Sequence, residues 1–283
     1  MTPRHFKFSF LLALVLAVAA VVEPQADAKA PWLQLEKGLE LGTFVSPQPS
    51  EVGDSLVHIL RIDPGYFELR LLNASAPDQS RRQSAREWAL NNGLVAAINA
   101  SLYQADNRTS ASLMRTRDHV NNRRLSKDKT ILAFDPLDPS LPKVQIIDRE
   151  CQDFDALNKQ YQTLVQSIRM VSCDGQNVWA PQSKKWSVAA IGMDKRGRVL
   201  FIHSRSPHST HDLIDVLLQL SIDLRNAMYV EGGPVAQLYA RSGDKEFEFL
   251  GSYSTGSNEN DNNAISWPVP NVVGVVRVNG KKP

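Results

Sequence analysis

The chain has 283 residues, 42% of them hydrophobic and 22% charged, with a formal net charge of +2. That composition excludes a disordered or fibrous polymer and suits one sizeable globular domain. Charge so close to balance gives no electrostatic case for a nucleic-acid partner or a membrane surface.

At the N-terminus Arg4 and Lys7 precede an apolar run over 8–22 and the small residues Ala26 and Ala28. This is the layout of a secretory signal peptide, with cleavage expected after Ala28. The run is shorter than the roughly 20 residues of a spanning helix, and no later stretch approaches that length, so no transmembrane segment is expected after its removal. Residues 29–54 read as an N-terminal extension and 55–280 as one domain. An exported chain, secreted or periplasmic, meets an oxidising compartment, where Cys151 and Cys173 can close a disulfide. Two unpaired buried thiols are the alternative.

Two aliphatic runs within 56–72 flank Asp63-Pro64-Gly65 and predict a β-hairpin. Ala85, Trp88 and Ala89 share one helical face over 83–91, ahead of Asn92-Gly93, a good helix stop. The uninterrupted apolar run 94–98 is short enough for a buried strand. Residues 100–129 turn polar, the pattern of a long loop that is either functional or mobile. Strands are expected over 131–134 and 144–147, and helical spacing returns with Phe154, Leu157, Tyr161 and Leu164. A second hairpin spans 188–203, turning at Asp194-Lys195-Arg196-Gly197. Ser209, with Asp212 three residues on, opens a helix carrying Leu213, Val216, Leu217 and Leu220 on one face. The strand 228–230 leads into Glu231-Gly232-Gly233-Pro234, and strands over 247–250 and 271–278 close the chain. Together these elements predict an α+β fold: a single domain built on a large mixed β-sheet with a few helices.

The familiar signatures of serine hydrolases, zinc proteases, redox dithiols and nucleotide-binding loops are absent. The six histidines are scattered, with only His208 and His211 close together, so no metal site is expected, although a divalent metal is left open. The candidate centre is Glu231-Gly232-Gly233. Adjacent glycines leave the backbone bare for a ligand, and the strand end presents a carboxylate beside them.

Four segments in order carry a resemblance to a known family. They are Ala96-Ala97-Ile98-Asn99-Ala100-Ser101-Leu102-Tyr103, the run 167–175, Ala189-Ala190-Ile191-Gly192-Met193-Asp194 and Val230-Glu231-Gly232-Gly233-Pro234-Val235. Over roughly 55–278 the chain resembles the phosphodiester glycosidases. It departs from their pattern where Glu231 replaces an Asp, Pro234 and Val235 replace Gly and Ser, and Val188 stands where an Arg is common.

The resemblance implies hydrolysis of a sugar joined through its anomeric oxygen to phosphate, a carbohydrate phosphodiester such as a cell-envelope polymer. Phosphate leaves far more readily than an alcohol, so one carboxyl group with phosphate-binding donors can replace the usual pair of acids. Glu231 is then expected as the base or as stabiliser of an oxocarbenium-like centre, Arg169 as the phosphate clamp, with Arg115 or Arg117 as other sources of the cation. The Gly232 and Gly233 amides stabilise developing charge. Asn99 and Ser112 orient substrate oxygens, Tyr103 stacks on the sugar, and His203 is a proton shuttle, its ordinary pKa near 6.5 lying in a useful range. No cofactor is implied. A catalytically weak carbohydrate- or phosphate-binding protein on the same fold and a metal-dependent phosphodiesterase are the competing readings.

Overall fold

The computed structural model describes Met1 and residues 32–79 and 81–278, so the expected signal peptide lies, Met1 apart, outside the described residues. Among these residues the strands form an 11-stranded sheet and a 5-stranded sheet, and every ladder is antiparallel. In the larger sheet the Leu224–Gly232 strand runs between Trp186–Asp194 and Tyr161–Val171. Trp186–Asp194 pairs with Val199–His208, which is the predicted hairpin around residues 194–197. Its turn depends on Gly197 at φ +82°, a backbone state that a Cβ would strain. The smaller sheet runs Lys245–Leu250, Gln237–Ser242, Ala96–Asn99, Asn271–Arg277, Phe67–Asn73.

The two sheets share one core. Leu60, Ile62, Ala189 and Val230 of the larger pack with Leu69, Ile98, Leu238 and Val273 of the smaller. Helices cover the outer faces. Thr210–Gln219 begins where expected, its Asp212 N–H donating to the Ser209 hydroxyl, and sets Leu213, Ile214 and Leu217 against Val57, Ile59 and Ile202 of the larger sheet. Ala85–Asn91 opens on a Ser84–Glu87 capping box and drives Trp88 against Ala97, Tyr239 and Val272 of the smaller sheet. Trp88 is fully buried, and truncating such a side chain to alanine costs about 3–5 kcal/mol. The described residues from 32 to 278 form one compact unit, and the α+β class holds.

Several expectations are corrected. The sheets are antiparallel and not mixed. The two strands within 56–72 do not pair with each other: Leu56–Ile62 joins the larger sheet between Leu39–Val45 and Val199–His208, whereas Phe67–Asn73 pairs with Asn271–Arg277 in the smaller. Asp63-Pro64-Gly65 therefore carries the chain between sheets. Alternation fixes which face of a strand is buried, not which strand lies beside it. The helix expected from Phe154 onward stops at Leu157, and Tyr161 already opens an 11-residue strand. The N-terminal stretch assigned to an extension contributes Trp32–Glu36 and Leu39–Val45 to the larger sheet. Within the polar segment 100–129 lie two short strands, Met114–Arg115 and Val120–Asn122.

Candidate active site at the double-glycine corner

Across the ladder Ala190 faces Tyr229 but Ala189 faces Glu231, so Val230 is an extra residue and the strand bulges immediately before the glycines. Such bulges re-aim side chains at strand ends. The Glu231 side chain is almost wholly enclosed, only 7% of the residue being exposed. Its Oε1 accepts a 3.0 Å hydrogen bond from the Gly232 N–H, and no cation pairs with it among the described residues. Burial wins over that single bond and pushes the carboxyl up to about 8. Near neutral pH the group is therefore mostly a neutral acid, able to donate a proton.

Bare backbone beside it is a steric requirement. A Cβ on Gly232 would collide with the Tyr229 hydroxyl and sit 2.9 Å from Trp186 Cδ1, so these two aromatic side chains close over the glycine. The Trp186 indole N–H is buried there without a hydrogen-bond partner. An unpaired buried donor is costly, and a site for substrate is one of the few places where proteins retain one. Trp179 lies against Tyr229, ring centroids 5.7 Å apart. Burial, then the nearby Glu231 carboxyl, push the Tyr229 phenol well above its ordinary range, so it stays a hydroxyl. Gly233 takes φ +69° and begins a single 3-10 turn over Gly233–Val235.

Asn99 is brought to this corner from the smaller sheet. It is buried, donates from Nδ2 to the Val235 carbonyl at 3.0 Å and accepts at Oδ1 from the Gln237 N–H at 2.7 Å. Its carboxamide thus pins the chain just beyond the glycines. Tyr103 arrives from the loop after the same strand. Burial, followed by the Glu231 carboxyl, raises its phenol, while Arg82 opposes the shift. Arg82 is exposed and makes no ion pair among the described residues, so it is a free cation facing this loop.

Other expected members are engaged elsewhere. Arg169 gives Nη1 to both oxygens of the buried Asp148, at 3.1 Å each, and this ion pair accounts for it without a ligand. Arg115 is spent on the carbonyls of Asn158, Tyr161 and Gln162, and Arg117 on the Gln162 side chain. Ser112 donates within a cluster formed by Ser126 and Asp128. His203 is fully buried; desolvation, with His58 next, lowers its pKa to about 3, so the value near 6.5 on which a proton shuttle would depend does not apply. His203 and Glu231 both face Ala189 from opposite sides, which sets their backbones on the order of 10 Å apart.

Cys151 and Cys173 form the expected disulfide, their Cα atoms 6.6 Å apart. The one cluster with metal-ligand spacing among the described residues, Asp148 with Cys151 and Cys173, has both sulfurs tied up in that bond. His208 lies between the carbonyls of Ser206 and Gln48, and His211 lies beside Asp215. Arg82 escapes sequence reasoning, and Trp186 reads from the sequence as a packing aromatic. Arg82 sits in an ordinary basic pair with Arg81, and Trp186 has only its type and position to mark it.

The arrangement brings together a neutral carboxylic acid, hydroxyl and N–H donors and aromatic side chains, with the Arg82 cation near Tyr103. A family model described as phosphodiester glycosidase matches residues 92–276. The fold is similar to that of the zebrafish N-acetylglucosamine-1-phosphodiester alpha-N-acetylglucosaminidase catalytic domain, a structure auto-inhibited by its pro-peptide. The TM-score is 0.60 at 14% identity, covering 84% of this chain and 83% of that one. A hypothetical protein from Synechocystis is similar at a TM-score of 0.55 and 14% identity, over 86% of this chain and 63% of the other. No curated protein sequence matches significantly.

Proposed function

The chain belongs to the phosphodiester glycosidase family, and from that premise we propose that it is an exported hydrolase that breaks the bond between a sugar's anomeric carbon and a phosphodiester oxygen. One observation carries this reading: a carboxyl group held protonated near neutral pH at a double-glycine corner against which Tyr229 and Trp186 pack. Burial changes the role expected of Glu231, from base to acid first. As the carbon–oxygen bond breaks, Glu231 donates its proton to the departing phosphate oxygen. The carboxylate so formed steadies the oxocarbenium-like sugar and then takes a proton from the water that adds to the anomeric carbon. The products are a free sugar and a phosphomonoester, and the acid is restored.

Arg82 draws the anionic diester to the mouth of the site, and the Gly233 amide and Trp186 N–H serve as donors to its oxygens. Tyr103 and Tyr229, held as neutral phenols, offer a stacking surface and hydroxyls for the sugar. Asn99 acts as a positioning residue by fixing residues 235–237. Export accords with the Cys151–Cys173 disulfide, and among the described residues no helix is long and apolar enough to cross a membrane. A polymer of the cell envelope, rich in sugar phosphodiesters, is the proposed natural substrate.

The test is release of reducing sugar from a panel of synthetic hexose-1-phosphate methyl diesters. The unmutated protein should turn over at least one member, and Glu231→Gln should bind it without turnover. Binding without release by the unmutated protein would instead identify a sugar-phosphate-binding protein.

A further inference from the structure

Immediately past the glycine corner in sequence, Pro234 forms one wall of a cavity of about 550 Å³ that the proposed reaction does not use. Its other lining residues include Asn258, Asn262, Asn263, Ile265 and Trp267, and none of its lining side chains carries a charge. Ile265 is 66% exposed and Trp267 46%, so an indole and an aliphatic side chain stand side by side in solvent.

This exposure is not the result of a loose loop. The Ser252 hydroxyl donates to the Asn260 carbonyl and accepts from the Asn263 N–H. The Asn263 amide donates to Gly251 at 2.7 Å and, more weakly, to Pro234 at 3.4 Å, while its Oδ1 accepts from the Trp267 indole at 3.2 Å. Asn258 donates to Ser252, and Arg205 ties the loop down through Asp261. The indole is therefore held in place by the same amide that joins the loop to Pro234. Asn262 makes no side-chain hydrogen bond among the described residues and remains available.

We propose that this cavity is a binding subsite for a neutral saccharide, the uncharged sugar units of the same substrate that lie beyond the phosphodiester. This rests on the proposed function for the identity of the substrate, but not for the chemistry of the cavity. A phosphate or carboxylate entering it would lose water without meeting a cation, which is costly. A pyranose instead offers C–H faces to the Trp267 indole and hydroxyls to the carboxamides, and the volume lies within the roughly 300–1,000 Å³ of small-molecule pockets. Pro234 follows Glu231 by three residues and Glu231 itself does not line the cavity, so a sugar there would add affinity without entering the reaction and select long over short substrates.

The experiment is calorimetric titration of the exported chain with maltotriose, cellotriose, xylotriose and chitotriose, none of which has a phosphodiester to cleave. At least one should bind, with affinity reduced about tenfold in Trp267→Ala and unchanged by saturating inorganic phosphate. Trp267→Phe, which keeps a stacking ring but loses the bond to Asn263, should bind nearly as well as the unmutated protein. The unmutated protein separates the subsite from the reaction: saccharide binding by a protein that turns over none of the hexose-1-phosphate diesters would retain the subsite and reject the enzyme. No binding by any of the four saccharides, equal binding by Trp267→Ala, or displacement by phosphate would overturn the proposal.

Discussion

Replacing Glu231 by Gln should stabilise the folded protein, and increasingly so as pH rises. In the native state the carboxyl titrates at about 8, against an ordinary value of 4.5. A folded value raised in this way contributes stability that is fully present below the unfolded value and is lost as pH climbs from there to the folded one. At 1.36 kcal/mol per unit, the loss is about 3 kcal/mol by pH 7 and about 5 kcal/mol by pH 9. Gln fills nearly the same space, can still accept from the Gly232 N–H, and has nothing to ionise. The difference between the two proteins should therefore be small at pH 4.5 and grow steadily to pH 8. For a domain of this size, about 3 kcal/mol at pH 7 corresponds to a melting-temperature gain of roughly 6–12 °C. Urea unfolding of both proteins at pH 4.5, 7 and 9 measures it. A difference that does not vary with pH, or a Gln variant that is the less stable at pH 9, would refute the claim that burial keeps this acid neutral.

His203 makes the opposite pH contribution: its folded value near 3 lies below the ordinary 6.5, so stability is lost as pH falls between them. At pH 5 the loss is about 2 kcal/mol, and acid titration of His203→Phe followed by circular dichroism should show a flatter acid limb. Arg169→Met leaves the buried Asp148 without its counter-ion, and chemical denaturation at pH 7 should register a loss of about 3–5 kcal/mol, with activity per folded molecule retained. Replacing both cysteines by Ser opens a loop with a sequence separation of 22 and should cost about 3 kcal/mol, read in the same way. Trp186→Phe keeps the ring but removes the unpaired N–H; kcat/KM should fall about tenfold while the melting temperature holds or rises.

Much of the local structure is legible in the chain. Ser209 marks a helix start because a hydroxyl oxygen can accept one of the N–H groups that a first turn leaves unpaired, and its cap forms. The turn at residues 194–197 announces its hairpin because the strands it joins are neighbours. Asp63-Pro64-Gly65 announces one equally well, yet its strands separate into different sheets, since a turn restricts direction and long-range packing selects the partner. Tyr161 illustrates competition between periods: Phe154, Leu157, Tyr161 and Leu164 have helical spacing, but the stretch from Tyr161 to Val171 lies buried among neighbouring strands, which decides its state.

The candidate site divides along the same line. Glu231 and the two glycines can be found because tight turns and exposed backbone require particular residue types. The bulge that aims Glu231 exists only in the register between two strands distant in sequence, and the same holds for the closure of Tyr229 and Trp186 over Gly232. Arg169 looks like a clamp when read alone and proves to be the counter-ion of Asp148, because a buried carboxylate elsewhere in the chain has the stronger claim on it. Arg82 could be recognised only after Tyr103 and Glu231 had been placed.

The most direct test of the proposed reaction is turnover of a hexose-1-phosphate diester in water enriched in heavy oxygen. Cleavage on the carbon side should place the label on the anomeric carbon of the released sugar and leave the phosphomonoester unlabelled. Label on the phosphate would mean attack at phosphorus and would contradict the account.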